Sequence, residues 1–202
     1  KQTAQANAAL ANQDTTKTFY KALNGKAQNV VLKNSKLELT LNTKGGVVEK
    51  AVIKGFKDNE GRKDLTLFDS QNQSLKFMLA GKETNIITTD LYFIPSNVTD
   101  STVTMTADAG NGKSLVMDYK LGKDYMLHFS MKANGLSGMF APNYDKIDIE
   151  WTDRCRQQEK GFTFENQHSS LTYHLTDGGT DNLSETSETV SYTHLRAHET
   201  GA

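Results

Sequence analysis

The sequence predicts a mainly β protein, an antiparallel β-sandwich preceded by an N-terminal helical tether, and three observations support this fold class. Apolar and polar residues alternate with a period of two, as in Leu37, Leu39 and Leu41, which is typical of strands with one buried and one solvated face. Turn signals such as Gly45-Gly46 and Asn111-Gly112 separate these runs. Helical periodicity is almost absent from the body of the chain. Many short strands joined by turns favour an antiparallel sandwich.

The same alternation predicts further strands in order along the chain. Their apolar faces lie at residues 75–79, 103–105, 115–121, 125–131 and 147–151. Gly122-Lys123 occupies the short gap between two of these runs and suits a tight hairpin. The two prolines, Pro95 and Pro142, stand at the ends of runs, where strands tolerate them.

Residues 1–23 differ in composition from the rest of the chain. Their first half is rich in alanine, glutamine and asparagine, which predicts a helix-prone or flexible linker. Four side chains are expected to pack the end of this linker onto the domain: Thr18, Phe19, Tyr20 and Leu23. The chain begins at Lys1 rather than at methionine, so we expect that an upstream segment has been cut away.

Composition bounds the possible functions. The 202 residues are 36% hydrophobic, which is enough for one core or one large sandwich. With 23 Lys+Arg against 24 Asp+Glu, there is no electrostatic reason to expect a nucleic-acid partner. The single cysteine, Cys155, excludes an intrachain disulfide framework. It stands between Arg154 and Arg156, a setting that favours thiolate reactivity, but without a Cys-x-x-Cys or Cys-His context we interpret it as incidental.

An ordered series of motifs resembles the periplasmic domain of the YidC family of membrane-protein insertases. Residues 37–48 resemble its opening block, a strand followed by a Thr-x-Gly-Gly turn and a second strand, and residues 64–68 resemble the strand that continues it. Residues 141–144, 161–166 and 178–186 are similar to versions associated with Bacteroidota. The likeness runs from about residue 16 to residue 186, and the order of the motifs carries it.

The resemblance implies an organisation and a role. In this family one transmembrane helix leads into a large periplasmic β-supersandwich, similar to galactose mutarotase, and a five-helix membrane core then carries out insertion. By that analogy residues 1–23 are the linker after a missing transmembrane helix, and residues 24–189 are the N-terminal part of the supersandwich. The expected role is accessory and not enzymatic, in the periplasm at the inner membrane. The expected partners are Sec translocon components and, through the full-length protein, nascent membrane proteins.

The end of the chain departs from the family pattern. Residues 190–200 match one reading frame of a transposase sequencing adapter, so we predict that residues 190–202 are a non-native tail. His194 and His198 have the i, i+4 spacing of zinc ligands, with Glu199 beside them. The metalloprotease pattern requires glutamate directly after the first histidine, where this chain has Leu195. No metal site is predicted here.

The alternative function is a secreted carbohydrate-binding or mutarotase-like sandwich. Such chemistry needs a general acid and a general base in one cleft, typically a glutamate and a histidine. The candidates are Glu150, Glu165, His128, His168 and His174. We interpret all of them as ordinary surface residues, and we expect His128 to face solvent because it alternates with Leu127 and Phe129. No catalytic, cofactor-binding or metal-binding residue is therefore predicted.

Two further features suggest sugar contacts or modification. An aromatic carbohydrate platform could be formed by Trp151, Tyr144 and Tyr173, but Trp151 shares its strand face with apolar residues, which predicts core packing instead. The triplets at residues 14–16 and 100–102 resemble the Asp-Ser/Thr-x O-glycosylation signal of Bacteroidota, which would place a sugar on Thr15 or Ser101. Because the supersandwich of this family needs more strands than this chain supplies, we expect residues 1–189 alone to aggregate or fold weakly.

Overall fold

The computed structural model describes residues 18–142, 146–167, 171–174 and 178–183. Antiparallel β-strands dominate these residues, as the alternation predicts, and the helices are short. In chain order the elements are α1 (Tyr20–Leu23), β1 (Asn29–Lys33), β2 (Leu37–Asn42), β3 (Val48–Lys57), β4 (Lys63–Phe68), β5 (Gln73–Leu79), β6 (Ile86–Ile87), β7 (Ile94–Ser96), β8 (Thr102–Gly110), β9 (Lys113–Leu121), β10 (Leu127–Asn134), β11 (Ile147–Asp153), α2 (Phe162–Gln167), β12 (Leu171–His174) and β13 (Thr180–Leu183).

The strands form three main sheets and a hairpin. The first sheet has the order β1-β2-β3-β4, the second β10-β9-β8-β7 and the third β11-β5-β6, while β12 pairs with β13. All of the strand pairs are antiparallel. One buried cluster draws its side chains from the three main sheets, so the sheets share a core and the chain is an antiparallel sandwich.

Strands β8 and β9 form the best-packed part of this core. Their residues alternate between buried and half-buried along almost their whole length. Met105, Leu115 and Met117 are completely buried. The hairpin between the two strands is closed by Asn111 and Gly112, which have φ of 54° and 73°. Positive φ at both positions is what a two-residue hairpin turn requires, and Asn-Gly is the sequence that adopts it most readily.

The turn at Gly45-Gly46 packs the first sheet against the second. Gly46 has φ of +70°, and a Cβ atom there would lie 2.8 Å from the sulfur of Met117. Only glycine satisfies both the left-handed backbone and the close approach. The buried hydroxyl of Tyr119 donates a 2.7 Å hydrogen bond to the carbonyl oxygen of Gly46, and burial raises the pKa of Tyr119. The Thr-x-Gly-Gly motif therefore makes an inter-sheet contact.

The linker that precedes β1 is docked onto the sandwich, although only part of the predicted packing is confirmed. Phe19 and Ala22 are buried, and the backbone N–H of Tyr92 donates to the carbonyl oxygen of Ala22 at 2.6 Å. Leu23 is 44% exposed and Thr18 is also exposed, so the prediction that they pack inward is wrong. A four-residue helix can bury one narrow face only, and here that face carries Ala22. The earlier linker residues lie outside the described ranges.

Two other predictions need correction. The connection between β9 and β10 is the five-residue segment 122–126 rather than a tight two-residue hairpin, so Tyr125 lies in a turn and not in a strand. Trp151 shares a face of β11 with Ile147 and Ile149, as predicted, but its side chain is 60% exposed and does not pack in a core. Ile147, at the start of β11, packs against the core, whereas Ile149 and Trp151 are 43% and 60% exposed.

Candidate interaction surface

Two outer strands, β10 and β11, carry exposed apolar side chains. β10 is the outer strand of the second sheet and β11 is the outer strand of the third, within the described part of the chain. The rings of Phe77 on β5 and Phe129 on β10 stack with their centroids 5.3 Å apart and an interplanar angle of 16°. Phe129 also contacts the ring of Tyr119, at 4.9 Å between centroids. These aromatic contacts join β10 of the second sheet to β5, the strand that pairs with β11 in the third sheet.

The side chains on these strands alternate like core residues but remain accessible. Phe129 pairs in register with the buried Tyr119, yet Phe129 is 40% exposed. Ile149 pairs with the buried Phe77, yet Ile149 is 43% exposed. Trp151 and the half-buried Met131 continue the same faces. We name these four residues the open margin: Phe129, Met131, Ile149 and Trp151. Exposed apolar side chains on outer strands of this kind are candidates for a contact site.

A shallow groove runs along β8, β9 and β10, and its lining includes Asp118, Lys120 and His128. Its volume is about 320 Å³. His128 is exposed there, as its alternation predicts, and it lies opposite Lys120 in the strand register. Asp118 accepts a 2.7 Å hydrogen bond from the hydroxyl of Thr104 and lies 3.6 Å from the ammonium of Lys132. The carboxylate in this groove is thus already engaged by neighbouring side chains.

The candidate glutamates stand in other places. Glu150 is on β11 and forms a 2.8 Å ion pair with Lys76. Glu165 is on α2, where its carboxylate accepts hydrogen bonds from the backbone N–H groups of Gln158 and Glu159. Each has a local structural role, and neither lines the groove that holds His128. Among the described side chains, no glutamate–histidine pair suited to sugar chemistry is assembled.

The other candidate residues are dispersed. Cys155 is exposed after the end of β11. Ser101 is half-buried in the turn before β8, where its backbone N–H donates to the hydroxyl of Thr99. His174 and Tyr173 belong to β12. Six candidates lie outside the described residues: Thr15, Tyr144, His168, His194, His198 and Glu199.

Neither a metal-ion site nor a membrane-spanning helix is found among the described residues. No cluster of three or more histidine, cysteine, aspartate or glutamate side chains is arranged to hold a metal ion among them. In the same residues, every helix is too short or too polar to cross a bilayer. Sequence reasoning missed the open margin, although the alternation had identified its residues, because a strand pattern does not reveal whether a second layer covers it.

The fold and this surface define a β-sandwich domain whose most prominent feature is an apolar contact side. Comparison with known proteins makes the assignment specific. The family model described as "YidC periplasmic domain" matches residues 29–198. The chain therefore belongs to the YidC periplasmic domain family, and the domain is periplasmic. No solved structure matches it significantly.

Curated relatives agree with the family match. The chain is 43% identical over 187 residues to "Membrane protein insertase YidC" of Phocaeicola vulgatus, which covers 92% of this chain and 30% of that protein. Proteins with the same description in Bacteroides fragilis and Porphyromonas gingivalis are 37% and 33% identical, over 90% and 81% of this chain. They are covered to 30% and 26% of their own length, so the chain spans less than a third of each relative.

Proposed function

We propose that this chain is part of the accessory periplasmic domain of an inner-membrane protein insertase, which inserts and helps fold membrane proteins alone or with the Sec translocon. The observation that carries the proposal is the family match over residues 29–198 together with relatives described as membrane protein insertases. The insertion activity belongs to the full-length parent protein. That full-length protein would bind nascent membrane proteins as its substrates. The role of this domain is contact with other proteins, and that role requires no catalytic residue.

The proposal includes a domain organisation. Residues 24–189 form the N-terminal part of a larger β-sandwich, residues 1–23 link it to a transmembrane helix, and residues 190–202 are a non-native tail. The open margin supports the central part of this division, because two outer strands carry exposed apolar side chains and β10 contacts β5, the neighbour of β11. Unpaired strand edges and uncovered apolar faces are normally paired or covered in a native protein. Further strands of the parent protein would cover the margin.

Complementation tests the insertase role. A Bacteroides fragilis strain depleted of its own insertase would receive the full-length parent gene or a variant that lacks residues 24–189. We expect the parent gene to restore growth and the insertion of inner-membrane proteins. We expect the variant to retain most of this activity, because an accessory domain does not perform insertion.

Two outcomes would contradict the proposal. If the parent protein accumulates in the membrane but restores neither growth nor insertion, the insertase role is wrong. If the variant accumulates equally well and is completely inactive, the domain is essential rather than accessory. Immunoblotting of the membrane fraction separates loss of activity from loss of protein.

A further inference from the structure

Three turns meet at one end of the sandwich, and the last of them leads into β10. They are residues 34–36 between β1 and β2, 97–101 between β7 and β8, and 122–126 between β9 and β10. We name these three turns the platform.

Backbone hydrogen bonds tie the platform together. The N–H of Lys33 donates to the carbonyl of Asp100 at 2.6 Å, and the N–H of Leu121 donates to the carbonyl of Ser101 at 2.7 Å. These bonds connect the turn at 97–101 to strands that lead into each of the other two turns. The platform is therefore one connected structure rather than three independent loops.

The side chain of Asn34 is the clamp at the centre of this structure. Its amide nitrogen donates to the carbonyl oxygens of Gly122 and Asp124, at 2.8 and 2.7 Å. Its amide oxygen accepts the backbone N–H groups of Lys36 and Leu37, both at 2.7 Å. Four hydrogen bonds from one side chain fix the first and third turns relative to each other. A surface ordered in advance loses little conformational entropy when it binds a partner.

The platform presents apolar side chains to solvent. Val98, Tyr125 and Met126 are 53%, 47% and 59% exposed. The Met126 backbone is fixed, since its N–H donates to the carboxylate of Asp124 and its carbonyl accepts from Gly122. Turns normally carry small polar residues, so a tyrosine and a methionine held outward by the turn are unusual. Both residue types are enriched at protein interfaces.

The charges around these side chains indicate the chemistry of a partner. The exposed ammonium of Lys36 lies 5.4 Å from the centre of the Tyr125 ring, and the exposed Lys123 lies in the same turn as that tyrosine. The exposed carboxylates of Asp100 and Asp124 interrupt this positive charge. An anionic bilayer would repel both carboxylates, whereas a folded protein can place its own charges to match a mixed pattern.

The position of the platform agrees with a protein partner. The docked linker contacts the far end of β8, where the N–H of Phe19 donates to the carbonyl of Ala109. The platform lies at the other end of this nine-residue strand, at Thr102. Ala109 and Thr102 are seven residues apart in this strand, which at roughly 3.3 Å per residue is about 23 Å. If the linker leads to the membrane, as proposed above, the platform faces away from it.

We propose that the platform docks a periplasmic protein surface that has an apolar centre bordered by aspartate or glutamate side chains. The apolar centre would contact Val98, Tyr125 and Met126, and the carboxylates would meet Lys36 and Lys123. The partner would place no carboxylate opposite Asp100 or Asp124. This inference rests on the proposed function, because that function sets the direction of the platform relative to the membrane. It adds a specific surface and a specific partner chemistry to that function.

Site-specific photocrosslinking in the complementing cells tests the proposal. The photoreactive residue p-benzoylphenylalanine would replace Met126 or Val98 in the full-length parent protein. Ser70, an exposed residue in the turn between β4 and β5 at the opposite end of the sandwich, is the control position. We expect the two platform positions to give the same adduct, identified by peptide mass spectrometry, and Ser70 not to give it.

Charge reversal provides the second measurement. The double variant Lys36→Glu/Lys123→Glu should lower the adduct yield roughly fivefold. The double variant Lys50→Glu/Lys160→Glu makes the same change in net charge at exposed sites away from the platform and should leave the yield unchanged. Exchanging the crosslinked partner's acidic residues for lysine should restore the yield with the reversed platform.

The possible outcomes separate this inference from the proposed function. Complementing growth without a platform adduct would overturn the docking surface and leave the insertase role intact. An adduct between two copies of the chain would also overturn it, as would adducts that are insensitive to charge reversal. Flotation of the protein with vesicles of phosphatidylethanolamine and phosphatidylglycerol, lost in Lys36→Glu/Lys123→Glu, would assign the platform to lipid instead.

Discussion

Strands β9 and β10 are neighbours in one sheet and carry the same alternation of apolar and polar residues, but they differ in burial. Met117 on β9 is completely buried, whereas its register partner Met131 on β10 is only half-buried. Tyr119 is 5% exposed and its partner Phe129 is 40% exposed. The difference in burial comes from the layer that faces each strand. The first sheet covers β9, whereas the inward face of β10 extends past the layer that covers it. Alternation defines which side faces inward, and a second layer decides whether that side is buried.

The largest effect should come from completing the sandwich. Residues 18–189 alone expose the open margin, so we expect them to aggregate or to melt without cooperativity. A chimera would join these residues to the downstream periplasmic sequence of the Phocaeicola vulgatus relative. We expect the chimera to be soluble and to unfold in one cooperative thermal transition. A sharp cooperative melt of residues 18–189 alone would show that the margin needs no cover.

A matched pair of methionine substitutions compares the two strands directly. In the chimera, Met117→Ala should lower the free energy of unfolding by about 2–5 kcal/mol, because it leaves a cavity in a packed core. If the added strands bury the margin, Met131→Ala should approach the same loss. Urea denaturation of both variants measures the two values. A loss below about 1 kcal/mol for Met131→Ala would mean that β10 stays at a surface.

Substitutions at two glycines near β9 measure the cost of backbone strain apart from the cost of a packing collision. Gly46 and Gly112 have similar positive φ, but only Gly46 has neighbours within reach of an added Cβ. Gly112→Ala should therefore cost about 1–2 kcal/mol from backbone strain alone. Gly46→Ala should cost about 1–3 kcal/mol more, because the new methyl group collides with Met117. Equal thermal destabilisation of the two chimera variants would contradict the inter-sheet role of the Gly46 turn.

The smallest effect concerns the hydroxyl of Tyr119. Tyr119→Phe removes its hydrogen bond to Gly46 and should cost about 1 kcal/mol at neutral pH. Burial raises the pKa of Tyr119 in the folded state, so the folded protein holds this proton more tightly than the unfolded chain does. Its contribution is complete below the unfolded pKa of about 10 and is lost as the pH rises from there toward the folded pKa. Urea midpoints across this alkaline range should fall less steeply for Tyr119→Phe than for the parent chimera.

The sequence was informative wherever a local rule decides the structure. The alternation placed β2, β5, β8, β9 and β11, and the glycine and asparagine turns were found where positive φ is required. Prediction failed where contacts with distant parts of the chain decide the local structure. The five-residue turn at 122–126 depends on the clamp from Asn34, a residue far away in sequence. The exposure of Trp151 depends on which distant residues face β11, and no pattern within β11 encodes that.

Trp151 offers the most direct test of the central claim that further strands of the parent protein cover the open margin. It is the chain's single tryptophan, so its fluorescence reports on the margin alone once the signal of a Trp151→Phe chimera has been subtracted. We expect acrylamide to quench Trp151 readily in residues 18–189 and weakly in the chimera, with a shift of its emission to shorter wavelength in the chimera. Equal quenching of Trp151 in a cooperatively folded chimera would contradict the claim and would identify the margin as a surface of the mature domain.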